Sequence, residues 1–249
     1  MERKPYGILI VHGFASSLDS VIEIEPPLKF LGFPIRMPVL RGHGGKSPET
    51  LHGVTWHDWV ADADGALKDL LTEVERVIIV GHSMGGLIAL KLAADHPDVV
   101  DSIILAAAAI HLASPLASGH ILHFLVPLII RLFRKWDLPP VYTDKSLARN
   151  DTNYHWAPMD SIVSFLELSE ETCRFLPEIR VPALILQSRK DTTVAPESAE
   201  IIYKRISTPT EQKKIIWFDE TEHEMFRDCE REAIIKAIVG YVKERVKLT

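Results

Sequence analysis

Three side chains in this sequence have the types and the order that nucleophilic acyl transfer needs: a serine, then an acid, then a histidine. Ser83 lies within Gly81-His82-Ser83-Met84-Gly85-Gly86. A serine hydroxyl is a poor nucleophile until a base takes its proton, and the base needs an acid to orient it. His223 supplies the base, being the only histidine after His155 and standing in the polar run Asp219-Glu220-Thr221-Glu222-His223. Asp191, at the end of Gln187-Ser188-Arg189-Lys190-Asp191, supplies the acid. Asp219 and Asp228 compete for that role, but Asp219 precedes the histidine by only four residues on the same loop, which favours Asp191. Attack on a carbonyl also builds negative charge on its oxygen, which two backbone N–H groups must hold. Met84, directly after the serine, gives one donor, and Phe14, in the loop after the first strand, gives the other.

These residues must be carried by strands that end at one edge of a sheet. Val77-Ile78-Ile79-Val80 is a short apolar run rich in β-branched residues, the pattern of a strand buried on both faces. Leu87 to Ala94 behind it is rich in helix formers. Gly81-x-Ser83-x-Gly85 therefore reads as a tight strand-to-helix turn that presents the serine hydroxyl at the positive end of the helix. Further strands are expected at 7–11, 33–40, 101–107, 181–187 and 213–218, making about six. Pro34 and Pro38 place the second near the sheet edge or leave only its middle paired. Helices are expected at 55–74, 196–206 and 230–246, with a short one ending near Gly32. Alternating strands and helices imply a mostly parallel sheet with right-handed crossovers, covered on both faces: an α/β fold in a single domain spanning 1–249.

Residues 111–180 break the alternation and read as a helical cap inserted over the carboxyl edge of the sheet. The segment Ile121 to Phe133 is the most apolar in the chain, yet it is interrupted by His123, Pro127 and Arg131. It falls short of the roughly 20 apolar residues a membrane-spanning helix needs. An apolar cap lining a pocket calls for a substrate with a greasy part, and its surface could touch lipid aggregates transiently. Asn153 and His155 are polar residues within that insertion and are candidates for hydrogen bonding a substrate head group.

At 249 residues, with 47% apolar and 25% charged residues and a formal charge of -6, the chain has the composition of an ordinary globular domain and no basic stripe for nucleic acid. Cys173 and Cys229 have no metal-ligand spacing and are expected to be buried thiols. His12, His43 and His82 flank glycines in turns at different strand ends, without a carboxylate to complete a ligand set, so structural roles are expected and no metal. The N-terminus runs into its first strand without a signal-peptide pattern, so a cytoplasmic setting is expected.

Taken together, Val11-His12-Gly13-Phe14, Arg41-Gly42-His43-Gly44, Trp56-His57-Asp58-Trp59, the Gly81 to Gly86 turn, the Gln187 to Asp191 loop, Ser198 to Tyr203 and His223 resemble the α/β-hydrolase superfamily. Within it, the chain resembles small bacterial carboxylesterases and monoacylglycerol lipases. That resemblance implies a cofactor-free esterase acting on short to medium acyl chains or monoacylglycerols, with a cap that shapes an acyl tunnel. It implies a triad at Ser83, Asp191 and His223 and an oxyanion hole at Phe14 and Met84. Two features depart from the family pattern. The family's N-terminal antiparallel strands have no counterpart before the first strand, and Glu222 stands before the histidine where glycine is common. The same fold hosts small-peptide hydrolases, C–C bond hydrolases and perhydrolases. A non-catalytic lipid binder is the rival from another class, and the retained serine, acid and base argue against it.

Overall fold

The computed structural model describes residues 3–113 and 133–247. Six strands build the main sheet: β1 (Lys4–Val11), β2 (Ile35–Arg36), β3 (Val74–His82), β4 (Val100–Ala106), β7 (Ala183–Ser188) and β8 (Lys213–Phe218). Their order is β2-β1-β3-β4-β7-β8, and every pairing is parallel. The expected six strands are thus present. β2 is the shortened edge strand its prolines implied, pairing only Ile8 with Ile35 and Leu9 with Arg36.

Period-two alternation assigns each strand residue to one of two cores. Leu9, Val11, Val77, Ile79, Ile103, Leu105 and Ile185 face one side. They pack against Trp59, Ala63 and Leu67 of α2 (Trp56–Leu70), Leu87 to Leu90 of α3 (Met84–Asp95) and Ile202 of α5 (Glu197–Arg205). Ile8, Ile10, Ile78, Val80, Ile104, Leu184 and Leu186 face the other. They meet Leu28 of α1 (Glu25–Phe30) and Ile234, Ile238 and Val242 of α6 (Arg231–Val246). Both faces are covered, which explains why the central strands read as unbroken apolar runs. The α2 helix starts where the Asp58 carboxylate accepts from the Thr55 N–H at 2.9 Å, closing a capping box.

Part of the 111–180 insertion lies outside the described residues, including the apolar stretch from Ile121 to Leu132. The rest holds a short antiparallel ribbon, β5 (Lys135–Asp137) with β6 (Trp156–Pro158), and one long helix, α4 (Met159–Phe175). This helix is joined to the body of the fold. Phe165, Leu168 and Phe175 belong to the same core as α2 and α3, and Ser164 Oγ accepts from the Trp56 N–H at 2.7 Å. Among the described residues no helix is long and apolar enough to cross a membrane. The two cysteines differ from expectation: Cys173 is half-buried and Cys229 is exposed, because it sits in the turn leading into α6 rather than on a core-facing stripe.

Candidate active site

Because the strands are parallel, the loops that leave their carboxyl ends converge on one edge. Ser83 follows β3 directly, Phe14 stands three residues beyond β1, and Asp191 and His223 lie in the loops after β7 and β8. The turn at Ser83 is as tight as its glycines suggest. Ser83 sits at φ 54° and ψ -117°, a strained conformation for a residue with a side chain. A Cβ at Gly81 would meet the Gly85 carbonyl oxygen at 2.2 Å, and one at Gly85 would meet the Val11 carbonyl oxygen at 2.2 Å. Only glycine at both positions lets β3 turn so sharply into α3 and lets α3 press against β1.

His223 bridges the other two groups. Its Nδ1 lies 2.9 Å from Asp191 Oδ2 and its Nε2 lies 3.0 Å from Ser83 Oγ. Asp191 is fixed in turn, since its Oδ1 accepts from the N–H groups of Thr193 at 2.9 Å and Val194 at 2.8 Å. Burial alone would raise this carboxyl, but His223 and the two N–H donors outweigh burial and hold it below its ordinary value. For His223 the balance has the same form with the opposite sign. Burial pushes the imidazole down, the Asp191 carboxylate pushes it up by more, and Glu224 and Glu222 add to the rise. A carboxylate on Nδ1 stabilises an imidazolium, so the arrangement could support proton transfer from Ser83 Oγ to Nε2.

Two neutral histidines shape the loop that carries Phe14. His12 donates from Nδ1 to the Gly13 carbonyl at 2.9 Å and accepts at Nε2 from the Leu40 N–H at 3.1 Å. His43 donates from Nδ1 to the Arg41 carbonyl at 3.1 Å and accepts at Nε2 from the Ala15 N–H at 3.0 Å. Desolvation drives His12 down to about 4 and His43 down to about 3, so both stay uncharged and keep these roles across the neutral range. The loop they hold places Gly13 against Ser83, where an added Cβ would stand 3.1 Å from Ser83 Cβ. Among the described residues the Phe14 N–H has no backbone partner, and the Met84 N–H, at the first position of α3, has none within its helix. Both are free to receive a substrate oxygen.

Other ties went unread in the sequence. Asp228 accepts from the N–H groups of Thr143 at 2.7 Å, Asp144 at 3.2 Å, Glu222 at 2.9 Å and Cys229 at 2.9 Å, binding the insertion to the loop of His223. Glu222, the departure noted before the histidine, accepts from the Thr192 N–H at 3.0 Å and so joins that loop to the loop of Asp191. The Tyr154 N–H donates to the Ala15 carbonyl at 2.7 Å, fastening the insertion to the Phe14 loop. Tyr154 stands between the two head-group candidates, and their placements differ. Asn153 lines the cavity above Ser83, whereas His155 is exposed and outside its lining.

The cavity holds about 420 Å³, with Ser83 and His223 in its wall. Leu138, Met159, Ile162, Phe165 and Leu166 give it an apolar side. Phe14 stacks on Phe165 at 5.1 Å between ring centroids, with 7° between the planes.

A serine on a tight strand-to-helix turn after the central strand of a parallel sheet, with an aspartate and a histidine in successive later loops, is the arrangement of an α/β-hydrolase. The chain belongs to the Hydrolase_4 family, described as "Serine aminopeptidase, S33", whose pattern matches residues 6–230. It is similar to a thermostable monoacylglycerol lipase of Bacillus sp. (strain H-257), with 30% identity over 237 residues that cover 94% of this chain and 89% of that protein. It is also similar to a carboxylesterase of Bacillus subtilis (strain 168), with 24% identity over 238 residues, 95% of this chain and 92% of that one. Among solved structures, one described for LipS and LipT, two metagenome-derived lipolytic enzymes, shares the fold at a TM-score of 0.86 and 24% identity, covering 97% of this chain and 95% of that one.

Proposed function

We propose that this ester hydrolase cleaves monoacylglycerols and short to medium chain acyl esters through an acyl-enzyme on Ser83, with residues 111–180 serving as its cap. The observation that carries the proposal is the pair of contacts made by His223, 2.9 Å to Asp191 and 3.0 Å to Ser83, at the wall of a partly apolar cavity.

Ser83 Oγ attacks the ester carbonyl carbon while His223 Nε2 takes the hydroxyl proton. The oxygen that gains the electron pair is held by the Met84 and Phe14 N–H groups. The tetrahedral adduct collapses, the alcohol leaves with the proton from His223, and Ser83 keeps the acyl group. Water then attacks the acyl-enzyme, gives its proton to His223, and the acid departs as that proton returns to Ser83. Asp191 holds the imidazole with Nδ1 protonated throughout. No step needs a cofactor.

The apolar side of the cavity supports an acyl group as the part bound there. The family's description favours a second reading, hydrolysis of small peptides from their amino end. The test is kcat/KM for a series of monoacylglycerols, methyl esters of the same acyl chains, and aminoacyl amides. The highest values should fall on monoacylglycerols. Highest values on short methyl esters would make the protein a general carboxylesterase, and highest values on the amides would make it a peptidase.

A further inference from the structure

The cavity wall beside His223 contains polar atoms that the reaction above does not use. Glu224 follows the histidine and is 8% exposed. Its Oε1 accepts from Asn153 Nδ2 at 2.9 Å. The other oxygen of each side chain, Glu224 Oε2 and Asn153 Oδ1, is buried without a hydrogen-bond partner among the described residues. Both residues line the cavity. His82 Nδ1 is a third unpartnered atom, but it lies beneath the Phe14 loop, 3.6 Å from where a Gly13 Cβ would be. That leaves two neighbouring acceptors, from different segments of the chain, buried without donors in residues of the cavity wall. A buried acceptor without a donor is costly to keep, so a ligand that brings donors is favoured there.

We propose that Glu224 and Asn153 form a subsite that reads free hydroxyl groups on the alcohol portion of the ester and rejects alcohols that carry an anionic group. The proposal rests on the ester-hydrolase reading above. His223 must hand its proton to the departing alcohol oxygen, so the wall next to His223 meets the alcohol, while the apolar side formed by α4 takes the acyl chain. Among the described lining residues the charged side chains are all carboxylates: Asp137, Asp151 and Glu224. Asp151 is already engaged, accepting from Arg227 Nη1 and from the Tyr142 hydroxyl, each at 3.1 Å. With Asp151 paired to Arg227, a phosphate or carboxylate on the alcohol would still meet Asp137 and the ionised form of Glu224, and no lysine or arginine in the described lining is there to pair with it. A hydroxyl suits the site better than an ammonium. Burial lifts the Glu224 carboxyl to about 7, so it is uncharged in many molecules near neutrality. A hydroxyl can pair with either form, and a cation gains only from the ionised one.

The experiment compares kcat/KM for a monoacylglycerol, the methyl ester of the same acyl chain, the corresponding acylglycerol phosphate, and an ester of an aminoalcohol, in the wild type and in Glu224→Gln. The monoacylglycerol-to-methyl-ester ratio should fall about tenfold in Glu224→Gln. The acylglycerol phosphate should be a poor substrate for the wild type and should gain in the variant relative to the methyl ester. The wild type alone supplies a further readout that does not depend on the variant folding. Charged and titratable groups facing Glu224 are His223, Asp151, Arg227 and Tyr142. Both esters use His223 identically, so its titration cancels in their ratio. That ratio should rise between about pH 6 and pH 8 as Glu224 ionises and becomes the stronger acceptor.

A ratio unchanged by Glu224→Gln, or one flat with pH in the wild type, overturns the proposal. So does wild-type turnover of the phosphate ester as fast as the neutral one. A larger loss on the aminoalcohol ester than on the monoacylglycerol would assign the site to cations instead. Ser83→Ala separates the two levels of the argument. If it abolishes turnover of every ester while the ratio ignores Glu224, only the subsite is wrong; if Ser83→Ala stays active, the underlying mechanism fails.

Discussion

Asp191→Asn removes one charge and leaves nearly every atom in place, so its effect isolates what the acid does. Asp191 Oδ1 accepts two backbone N–H groups, from Thr193 and Val194. An asparagine would keep its carbonyl oxygen there, because its amide NH2 cannot face two donors. The NH2 is then forced into the place of Oδ2, where His223 Nδ1 lies at 2.9 Å and Gln187 Nε2 at 3.3 Å. To avoid donor against donor the imidazole must carry its proton on Nε2 and accept at Nδ1. In that tautomer Nε2 faces Ser83 Oγ, 3.0 Å away, as a donor and cannot take the serine proton. We expect kcat to fall about 10⁴-fold, the cost of the wrong tautomer in a triad with intact geometry. A second signature follows from charge. The neutral imidazole is the active form, and Asp191 is what lifts His223 above its ordinary value against burial. With the carboxylate gone and burial unchanged, the acid limb of the residual activity should move to lower pH. Hydrolysis of a water-soluble short-chain ester across the pH range reads both effects. Activity within tenfold of the wild type, or an acid limb that does not move, would refute the reasoning.

The ties around the site make further predictions. Asp228→Asn turns one of the two oxygens that receive four N–H groups into a donor, and should cost about 2 kcal/mol in urea unfolding at neutral pH. Burial raises the Asp228 carboxyl, but its N–H donors outweigh burial and hold it below its ordinary value. Its contribution is therefore complete above the ordinary carboxylate range and is lost as pH falls through the depressed value, so the gap between wild type and variant should narrow in acid. Gly85→Ala drives a Cβ to 2.2 Å from the Val11 carbonyl and should cost about 4 kcal/mol or prevent folding. Gly240→Ala in α6 meets nothing within 4 Å and should stabilise by about 1 kcal/mol, raising Tm by about 3 °C.

The parts of this fold that were legible in the sequence are those set by local pattern. The β-branched run Val77 to Val80 marked the central strand, Gly81 and Gly85 marked the turn, and Pro34 and Pro38 marked a truncated edge. The order of Ser83, Asp191 and His223 was legible for the same reason, since each follows a recognisable strand. The insertion was legible only as an interruption. Its ribbon consists of two three-residue strands, too short to show a period, and α4 draws its apolar face from contacts with α2 and α3 that no local pattern specifies. Glu224 read as an ordinary loop residue, and Asp228 only as a competitor for the acid's place. Their roles come from Asn153, Thr143 and Asp144, some seventy to eighty-five positions earlier in the chain, which pack across them in the folded protein. The expectation at Asn153 followed from a polar residue in an apolar segment, and the same reasoning selected His155, which the chain direction at β6 leaves exposed. Two side chains two residues apart there have different surroundings, one at the cavity wall and one exposed.

The most direct test of the account is the covalent intermediate. A slowly deacylating ester, mixed with the protein and followed by intact-protein and peptide mass spectrometry, should add one acyl group per chain on the peptide that contains Ser83. Ser83→Ala should take up none and should lose activity by 10⁴-fold or more, to order of magnitude. Acylation at another residue, or turnover in Ser83→Ala equal to that of the wild type, would contradict it.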